Sequence, residues 1–213
     1  MIIAVDGPTA SGKGTIAKAL AAHFGLSHLD TGLLYRAVGR QVQKSGGDPD
    51  DLGAALAATF FPASVLDDPE LRSEEVGGYA SRVSIHRAVR QALYEQQRDF
   101  ALQTGGAVLD GRDIGTVIAP EAQVKLYVTA SVEARAERRW KEMTERGDTR
   151  TLEEILADLK RRDERDRNRA AAPLVEAEDA IVLDTSGLNR EAAIAEAIRL
   201  AEERLAETRA AGV

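Results

Sequence analysis

Short apolar runs alternate with amphipathic stretches along the chain. The run at 1–5 is continuous and rich in β-branched residues, which is typical of a strand covered on both faces. Apolar residues recur at helical spacing over 13–24, and the runs at 107–110, 124–129 and 180–186 have the length of strands. Because helical stretches separate these strands and no hairpin signal joins them, the pattern predicts an α/β fold with a parallel sheet flanked by helices.

Two segments interrupt this alternation. The segment 33–100 is helical in pattern, is broken by three prolines and contains no convincing core strand. The segment 146–169 carries one amphipathic set of leucines and isoleucine and then a run of arginines. A last helix is predicted over 189–206, after the final strand. We interpret both segments as excursions from a single domain over 1–213, whose core comprises about 1–32, 101–145 and 170–213.

Composition excludes several classes of protein. Hydrophobic residues make up 44% and charged residues 30%, which is ordinary for a globular protein. The chain has no cysteine, which excludes disulfides, a thiol nucleophile and cysteine-bound zinc. Its net charge of -7 disfavours nucleic acids and anionic membranes, and no apolar run approaches the ~20 residues of a membrane helix. The N-terminus also lacks the basic region of a signal peptide, so we expect a cytoplasmic protein.

A glycine-rich loop, GPTASGKGT at 7–15, follows the first strand directly and leads into the first helix. This is the G-x-x-x-x-G-K form in its strand–loop–helix context, where inward N–H groups and the helix N-terminus hold phosphates. A turn without a ligand is the alternative, but the strand, lysine and helix in register favour a nucleoside triphosphate. The predicted ATP-binding residues are Gly7, Pro8, Thr9, Ala10, Ser11, Gly12, Lys13, Gly14 and Thr15.

Charged residues follow two further strand ends. The motif LDTGLLYRA lies at 29–37, and VLDGRD at 108–113 ends an apolar strand. Because the carboxyl ends of parallel strands form the ligand crevice, we expect these groups to face the phosphate loop. Helix capping and turn formation are the alternatives, and Arg36 could equally be a surface residue. Arg112 beside two carboxylates favours a site over a turn.

The run RDERDRNR at 162–169 concentrates four arginines in an acidic protein. In a helix, residues at i, i+3, i+4 and i+7 share one face. That face carries Arg162, Arg165, Asp166 and Arg169. We expect the remaining charged residues to face water, namely Asp163, Glu164 and Arg167. A solvated helix face is the alternative, but the motifs above favour a face that meets phosphorylated ligands.

In this order, GPTASGKGT, LDTGLLYRA, DGRDIGTV and RDRNRAAAPL resemble the bacterial cytidylate kinase family over nearly the whole chain. The resemblance implies a P-loop kinase domain with an inserted NMP-binding sub-domain at about 33–100 and a short arginine-rich lid at about 146–169. It implies transfer of the γ-phosphoryl group of ATP to CMP and dCMP, with Mg²⁺ entering with ATP. The insert around 50–80 is shorter than in the long bacterial forms of this family and lacks their small strand set.

The resemblance also implies a role for individual residues. It places Ser81, Arg90 and Asp113 at the cytosine base. An arginine complements the O2 and N3 acceptors of cytosine, and a carboxylate accepts from its N4 amino group. The residues implied at the CMP phosphate are Arg36, Arg112 and Arg169. Arg162 and Asp166 are implied at the ribose, with Thr31 close to the acceptor. The implied catalytic residues, which surround the transferring group with positive charge, are Lys13, Arg112, Arg162 and Arg165.

Two other functions stay open at this point. Another small P-loop kinase, acting on AMP, UMP or shikimate, would share the phosphate loop without needing both DGRD and RDRNR. A nucleotide-dependent switch would bind the triphosphate tightly without phosphorylating an acceptor. We expect a monomer that binds ATP and CMP or dCMP, and the sequence does not identify direct metal ligands.

Overall fold

Five parallel strands form one sheet in the computed structural model, which describes residues 1–210. Their order across the sheet is β2-β3-β1-β4-β5. The strands are β1 (Ile2–Asp6), β2 (Ser27–Asp30), β3 (Ala107–Gly111), β4 (Val124–Thr129) and β5 (Ile181–Asp184). All four pairings are parallel. The predicted α/β fold is therefore confirmed, and the burial of every residue of β1 explains its continuous apolar run.

Eight α-helices surround the sheet in the described part of the chain. They are α1 (Lys13–Phe24), α2 (Thr31–Lys44), α3 (Leu52–Ala57), α4 (Glu74–Val83), α5 (Arg87–Leu102), α6 (Val132–Glu145), α7 (Leu152–Asn168) and α8 (Arg190–Ala210). Two 3₁₀ turns, Ala63–Asp67 and Pro69–Arg72, precede α4, and a π-helical turn, Ile114–Ile118, follows β3. The first helix has its predicted bounds, and the last runs on past 206.

Each face of the sheet has its own apolar core. On one face, α1 and α8 cover the strands, with Leu20 and Ala197 packed near Ile3. On the other face, α5 and the π-helical turn cover Ala4 and Leu109. Because helices bury both faces, the polar groups that follow the strand ends gather at the carboxyl edge, as parallel sheets require.

The segment 33–100 is helical throughout its regular structure, as its pattern predicted. Its own core joins α2, α4 and the start of α5 around Val38, Val83 and Leu93. Helices α2 and α4 lie very close together, since a Cβ added at Gly39 would be 2.8 Å from the backbone nitrogen of Ala80. Residues 50–80 form α3, the 3₁₀ turns and part of α4, with no strand. The division into core, insert and lid stays a prediction.

Helices α6 and α7 form a hairpin with a small core of its own, Ala136, Met143, Ile155 and Leu159. The side chains of Arg135 on α6 and Asp163 on α7 join the helices through two hydrogen bonds of 3.0 and 2.6 Å. The prediction that Asp163 faces water is therefore wrong, because this carboxylate is 4% exposed and neutralises a buried guanidinium. Glu164 and Arg167 are exposed, as expected.

No helix in residues 1–210 combines the length and the apolar character needed to cross a membrane.

Candidate active site

The phosphate loop joins β1 to α1 through three backbone positions with positive φ. These are Gly7 at 153°, Ala10 at 62° and Gly12 at 89°. Gly7 cannot carry a side chain, because a Cβ there would lie 2.0 Å from the carbonyl oxygen of Val128 on β4. Such turns direct successive N–H groups towards one point, and the N-terminus of α1 adds its partial positive charge. The loop can therefore hold the phosphates of a nucleotide.

One cleft of about 510 Å³ runs from the phosphate loop to the insert and the α6–α7 hairpin. Most of the predicted site residues line it: Thr9, Ala10, Gly12, Lys13, Gly14, Thr15, Thr31, Arg36, Ser81, Arg90, Arg112, Asp113, Arg162, Asp166 and Arg169. Gly7, Pro8, Ser11 and Arg165 are not among its lining residues. The fold thus brings four distant sequence motifs to one cavity.

Arg112 connects the phosphate loop to α7. Its Nε donates to Asp166 at 2.8 Å, and its Nη2 donates to the hydroxyl of Thr9 at 2.7 Å. Burial by itself would raise the pKa of Asp166, but Arg112, Arg169 and Arg162 outweigh it and lower that pKa. The carboxylate therefore stays charged and keeps the guanidinium group of Arg112 oriented at the strand end.

A second buried carboxylate, that of Asp113, also lines the cleft. The Asp113 carboxylate pairs with Arg90 and lies 3.5 Å from Arg169, and Arg90 is 5.3 Å from the ring centre of Tyr35. Asp6 fixes the backbone that follows Asp113, since its carboxylate accepts the next two N–H groups at 2.9 and 2.8 Å. Burial raises the pKa of Asp6 to about 6, although these hydrogen bonds lower it. The carboxylate of Asp113 and the guanidinium groups of Arg90 and Arg169 could therefore form hydrogen bonds with a ligand that has both donors and acceptors.

Arg165 has a different partner from the other arginines of its helix. Its Nη1 donates to the Ser81 hydroxyl of α4 at 2.7 Å, which joins the hairpin to the insert. The two residues are 84 positions apart in the sequence, so the contact is a tertiary one. The catalytic role of Arg165 stays a prediction.

Comparison with known proteins identifies the family. The sequence model described as cytidylate kinase matches residues 3–203. The chain belongs to the cytidylate kinase family. A cytidylate kinase of Caulobacter sp. (strain K31) is 55% identical over 202 residues, 94% of each chain. A cytidylate kinase of Xanthobacter autotrophicus is 55% identical over 206 residues, 97% of this chain and 99% of the relative. Family membership confirms the resemblance and makes the chain an ATP-dependent nucleoside monophosphate kinase, a transferase.

The fold comparison agrees with this assignment at a coarser level. An uncharacterized protein from Eubacterium ventriosum, of known crystal structure, superposes with a TM-score of 0.55. The superposition covers 95% of this chain and 98% of that one, at 15% sequence identity. At this identity the likeness concerns the fold alone.

The cleft of this cytidylate kinase family member also contains residues that its motifs did not indicate. Tyr35 lines the cleft, although its motif indicated only Thr31 and Arg36 as site residues. His28, which belongs to no motif, lies with its Nε2 2.7 Å from Asp110 Oδ1, and Asp110 lines the cleft. Arg138, Arg139, Glu142 and Arg190 line it without any recognisable spacing. Only the tertiary approach of α6 and α8 brings these last residues to the cleft.

Oxygen donors suitable for Mg²⁺ lie near Lys13. Thr15, Asp30 and Asp110 line the same cleft, and the charges of both carboxylates act on the Lys13 amine. Within residues 1–210, no group of three or more His, Cys, Asp or Glu side chains could hold a metal ion by itself. The donor set fits a hydrated Mg²⁺ bound mainly through phosphate oxygens and water.

ATP binding should weaken above about pH 8. Burial and the Arg112 charge together lower the pKa of Lys13 to about 8, so the free enzyme loses this proton as the pH rises. Bound phosphate favours the protonated amine, so below this pKa the affinity should be constant. Above it, the Kd for ATP should rise by up to about tenfold per pH unit. Calorimetric titration from pH 7 to 9.5 in two buffers should detect proton uptake; a flat profile would contradict the assignment.

Proposed function

We propose that this chain transfers the γ-phosphoryl group of ATP to CMP, and also to dCMP, giving ADP with CDP or dCDP. One observation carries the proposal: buried Asp113, held between Arg90 and Arg169, shares a single cleft with the phosphate loop. The phosphate loop accounts for the donor, and the carboxylate with its two arginines accounts for the acceptor. A nucleotide-dependent switch would not need this second charged pocket.

The base pocket favours cytosine over uracil. The N4 amino group of cytosine can donate to Asp113, while Arg90 can donate to the O2 and N3 acceptors, with Ser81 nearby in the cleft. Uracil presents a carbonyl oxygen where cytosine carries N4, and that oxygen would face a carboxylate. The cost of one such unmatched buried pair is about 1–3 kcal/mol.

The arginines of the cleft divide between binding and catalysis in this proposal. Arg36, Arg112 and Arg169 bind the CMP phosphate. Arg162 and Asp166 bind the ribose, and Thr31 lies beside the acceptor at the start of α2. These residues all line the cleft, so one bound nucleotide could contact them together. Guanidinium groups suit this task because they stay charged and bind two oxygens at once.

The chemical step needs alignment and positive charge. An oxygen of the CMP phosphate attacks the γ-phosphorus of ATP, and the bond from that phosphorus to the bridging oxygen of ADP breaks. Lys13, Arg112, Arg162 and Arg165 stabilise the charge that spreads over the transferring oxygens. Thr15 and Asp110 would hold a hydrated Mg²⁺, which would supply charge neutralisation at the donor phosphates. We propose that the α6–α7 hairpin, including the lid at 146–169, excludes water from this step.

The proposal needs one chain only. Most of the proposed donor and acceptor groups line the same cleft of a single chain, so a monomer is sufficient for activity. We propose a cytoplasmic monomer, where both nucleotides are available. Sedimentation of the purified protein at assay concentration tests the oligomeric state.

Initial rates of ADP release test the function. The assay contains ATP and Mg²⁺ with CMP, dCMP, UMP, AMP or shikimate added separately. Strong stimulation by CMP and dCMP is the expected result, because cytosine alone offers an amino donor to Asp113 together with the O2 and N3 acceptors to Arg90. Preference for another acceptor would discard the roles of Ser81, Arg90 and Asp113, and no stimulation by any acceptor would favour the switch.

Replacing Asp113 with asparagine should reduce the preference for CMP over UMP. The amide keeps the shape of the side chain but can donate to the uracil carbonyl, so the ratio of kcat/KM values should fall about 10- to 100-fold. The KM for ATP should change by less than about twofold, since Asp113 is not among the residues predicted to bind ATP. Asp48→Asn, at an exposed ion pair with Arg82, is the matched control. Equal losses for both acceptors would refute the assignment.

A further inference from the structure

Glu74 joins the insert to the hairpin across the cleft. It is the first residue of α4, and its carboxylate pairs with Arg139 of α6. The same carboxylate lies 3.7 Å from Arg162 of α7. All three side chains are largely buried, with exposed fractions of 16%, 17% and 9%. A buried carboxylate between two arginines from another part of the fold places strong geometric constraints on both.

The arginines around Glu74 carry more positive charge than this carboxylate neutralises. Arg36 lies in the same cluster, and its Nη1 donates to two backbone carbonyls of the insert at 2.6 and 2.9 Å. Burial, together with the charges of Arg162 and Arg139, lowers the pKa of Arg36 to about 10. Burial likewise lowers the pKa of Arg162. The cluster can therefore accept a further anion without displacing Glu74.

The next turn of α4 leaves room for these guanidinium groups. A Cβ added at Gly77 would lie 2.6 Å from Nη2 of Arg162 and 2.9 Å from Nη2 of Arg36. The backbone of α4 thus packs directly against arginines from α7 and α2. Glu74 and Gly77 together make the insert part of the surface that orients Arg162.

We propose that Glu74 is a positioning residue that holds Arg139 and Arg162 over the acceptor site. The arginines of the hairpin are then ordered only when the insert is in place, which links the transfer step to the element that binds the acceptor. The inference rests on the proposed function, because it takes Arg162 to act on CMP. Glu74 itself contacts arginines and does not need to contact either nucleotide.

Replacing Glu74 with glutamine tests this role, because glutamine keeps the shape and removes the charge. We expect kcat for CMP phosphorylation to fall about tenfold, since small displacements of positioning groups are costly. ADP release without CMP should fall less, because transfer to water does not need the alignment that the insert gives to the acceptor. The ratio of CMP-dependent to CMP-independent release should therefore fall. The control is Glu75→Gln, an exposed carboxylate on the same first turn of α4.

A double-mutant cycle separates positioning from simple stabilisation. If Glu74 acts through Arg162, then Glu74→Gln should have little further effect on kcat in an Arg162→Gln background. If Glu74 only stabilised the first turn of α4, then Glu74→Gln and Glu75→Gln should lower the Tm alike. The effect of Glu74→Gln on kcat would then persist in the Arg162→Gln background. Equal kcat for the Glu74 and Glu75 variants, or an undiminished loss in the double mutant, would overturn the inference. A wild-type protein inactive with CMP would instead overturn the proposed function, and the inference with it.

Discussion

Replacing Lys13 with methionine should lower kcat/KM for CMP phosphorylation about 10³-fold. The amine belongs to a half-buried side chain that lines the cleft at the phosphate loop, and anions that approach it favour its charge. Asp110 and Asp30 favour its charged form in the free protein, whereas burial and Arg112 disfavour it. Transferring phosphoryl oxygens would stabilise the charge more strongly than either carboxylate. Methionine keeps most of the side-chain volume but removes the positive charge that would stabilise the transferring phosphoryl oxygens.

The measurement is the initial rate of CDP formation at saturating and limiting ATP. Lys160→Met, on the exposed side of α7, is the control for the loss of a lysine charge and should stay within about twofold. The thermal midpoint of Lys13→Met should not fall, because the variant removes a charge that desolvation disfavours in the free protein. Retention of more than about a tenth of the wild-type rate would contradict the catalytic role of Lys13.

Replacing Asp163 with alanine should lower the free energy of unfolding by about 3–5 kcal/mol. The change leaves the Arg135 guanidinium, with a side chain 3% exposed, without its carboxylate. Arg135 also donates to the Thr9 carbonyl of the phosphate loop at 3.1 Å, so its displacement should weaken ATP binding as well. Urea denaturation followed by circular dichroism measures the change in stability.

Two comparisons make this result specific. Asp158→Ala breaks an exposed pair with Arg161 on the same helix and should cost only about 0–1 kcal/mol. The double variant Arg135→Met with Asp163→Leu should recover most of the stability, because no buried charge then lacks a partner. If Asp163→Ala and Asp158→Ala had the same effect, the pair with Arg135 would not stabilise the hairpin.

The sheet and the phosphate loop could be predicted from the sequence because their signals are local. A continuous apolar run, a glycine-rich loop and an amphipathic stretch stand next to one another at 1–24, and the structure reproduces this order. The rule that ligands bind at the carboxyl ends of parallel strands then predicted where the site lies. That rule also brought 29–37 and 108–113 to the same edge.

Contacts between distant helices could not be predicted in this way. Helical periodicity describes one helix at a time, so it assigned Asp163 to the water side and could not foresee Arg135 on α6. Glu74 and Arg139 likewise belong to no motif, and they meet only because the insert and the hairpin approach each other. Tyr35 has an ordinary helix-core pattern, and its place beneath Arg90 depends on the position of α5.

In the proposed function, one cleft binds the phosphates of ATP and the cytosine of CMP at the same time. The most direct test is the Kd of a compound in which adenosine and cytidine are joined through five phosphates, measured beside the same compound with two adenosines. The cytidine compound should bind about 100-fold more tightly, because cytosine offers both the O2 and N3 acceptors to Arg90 and its amino group to Asp113, whereas the larger adenine lacks the O2 acceptor. Both compounds share every phosphate contact. Equal Kd values for the two compounds would contradict the account.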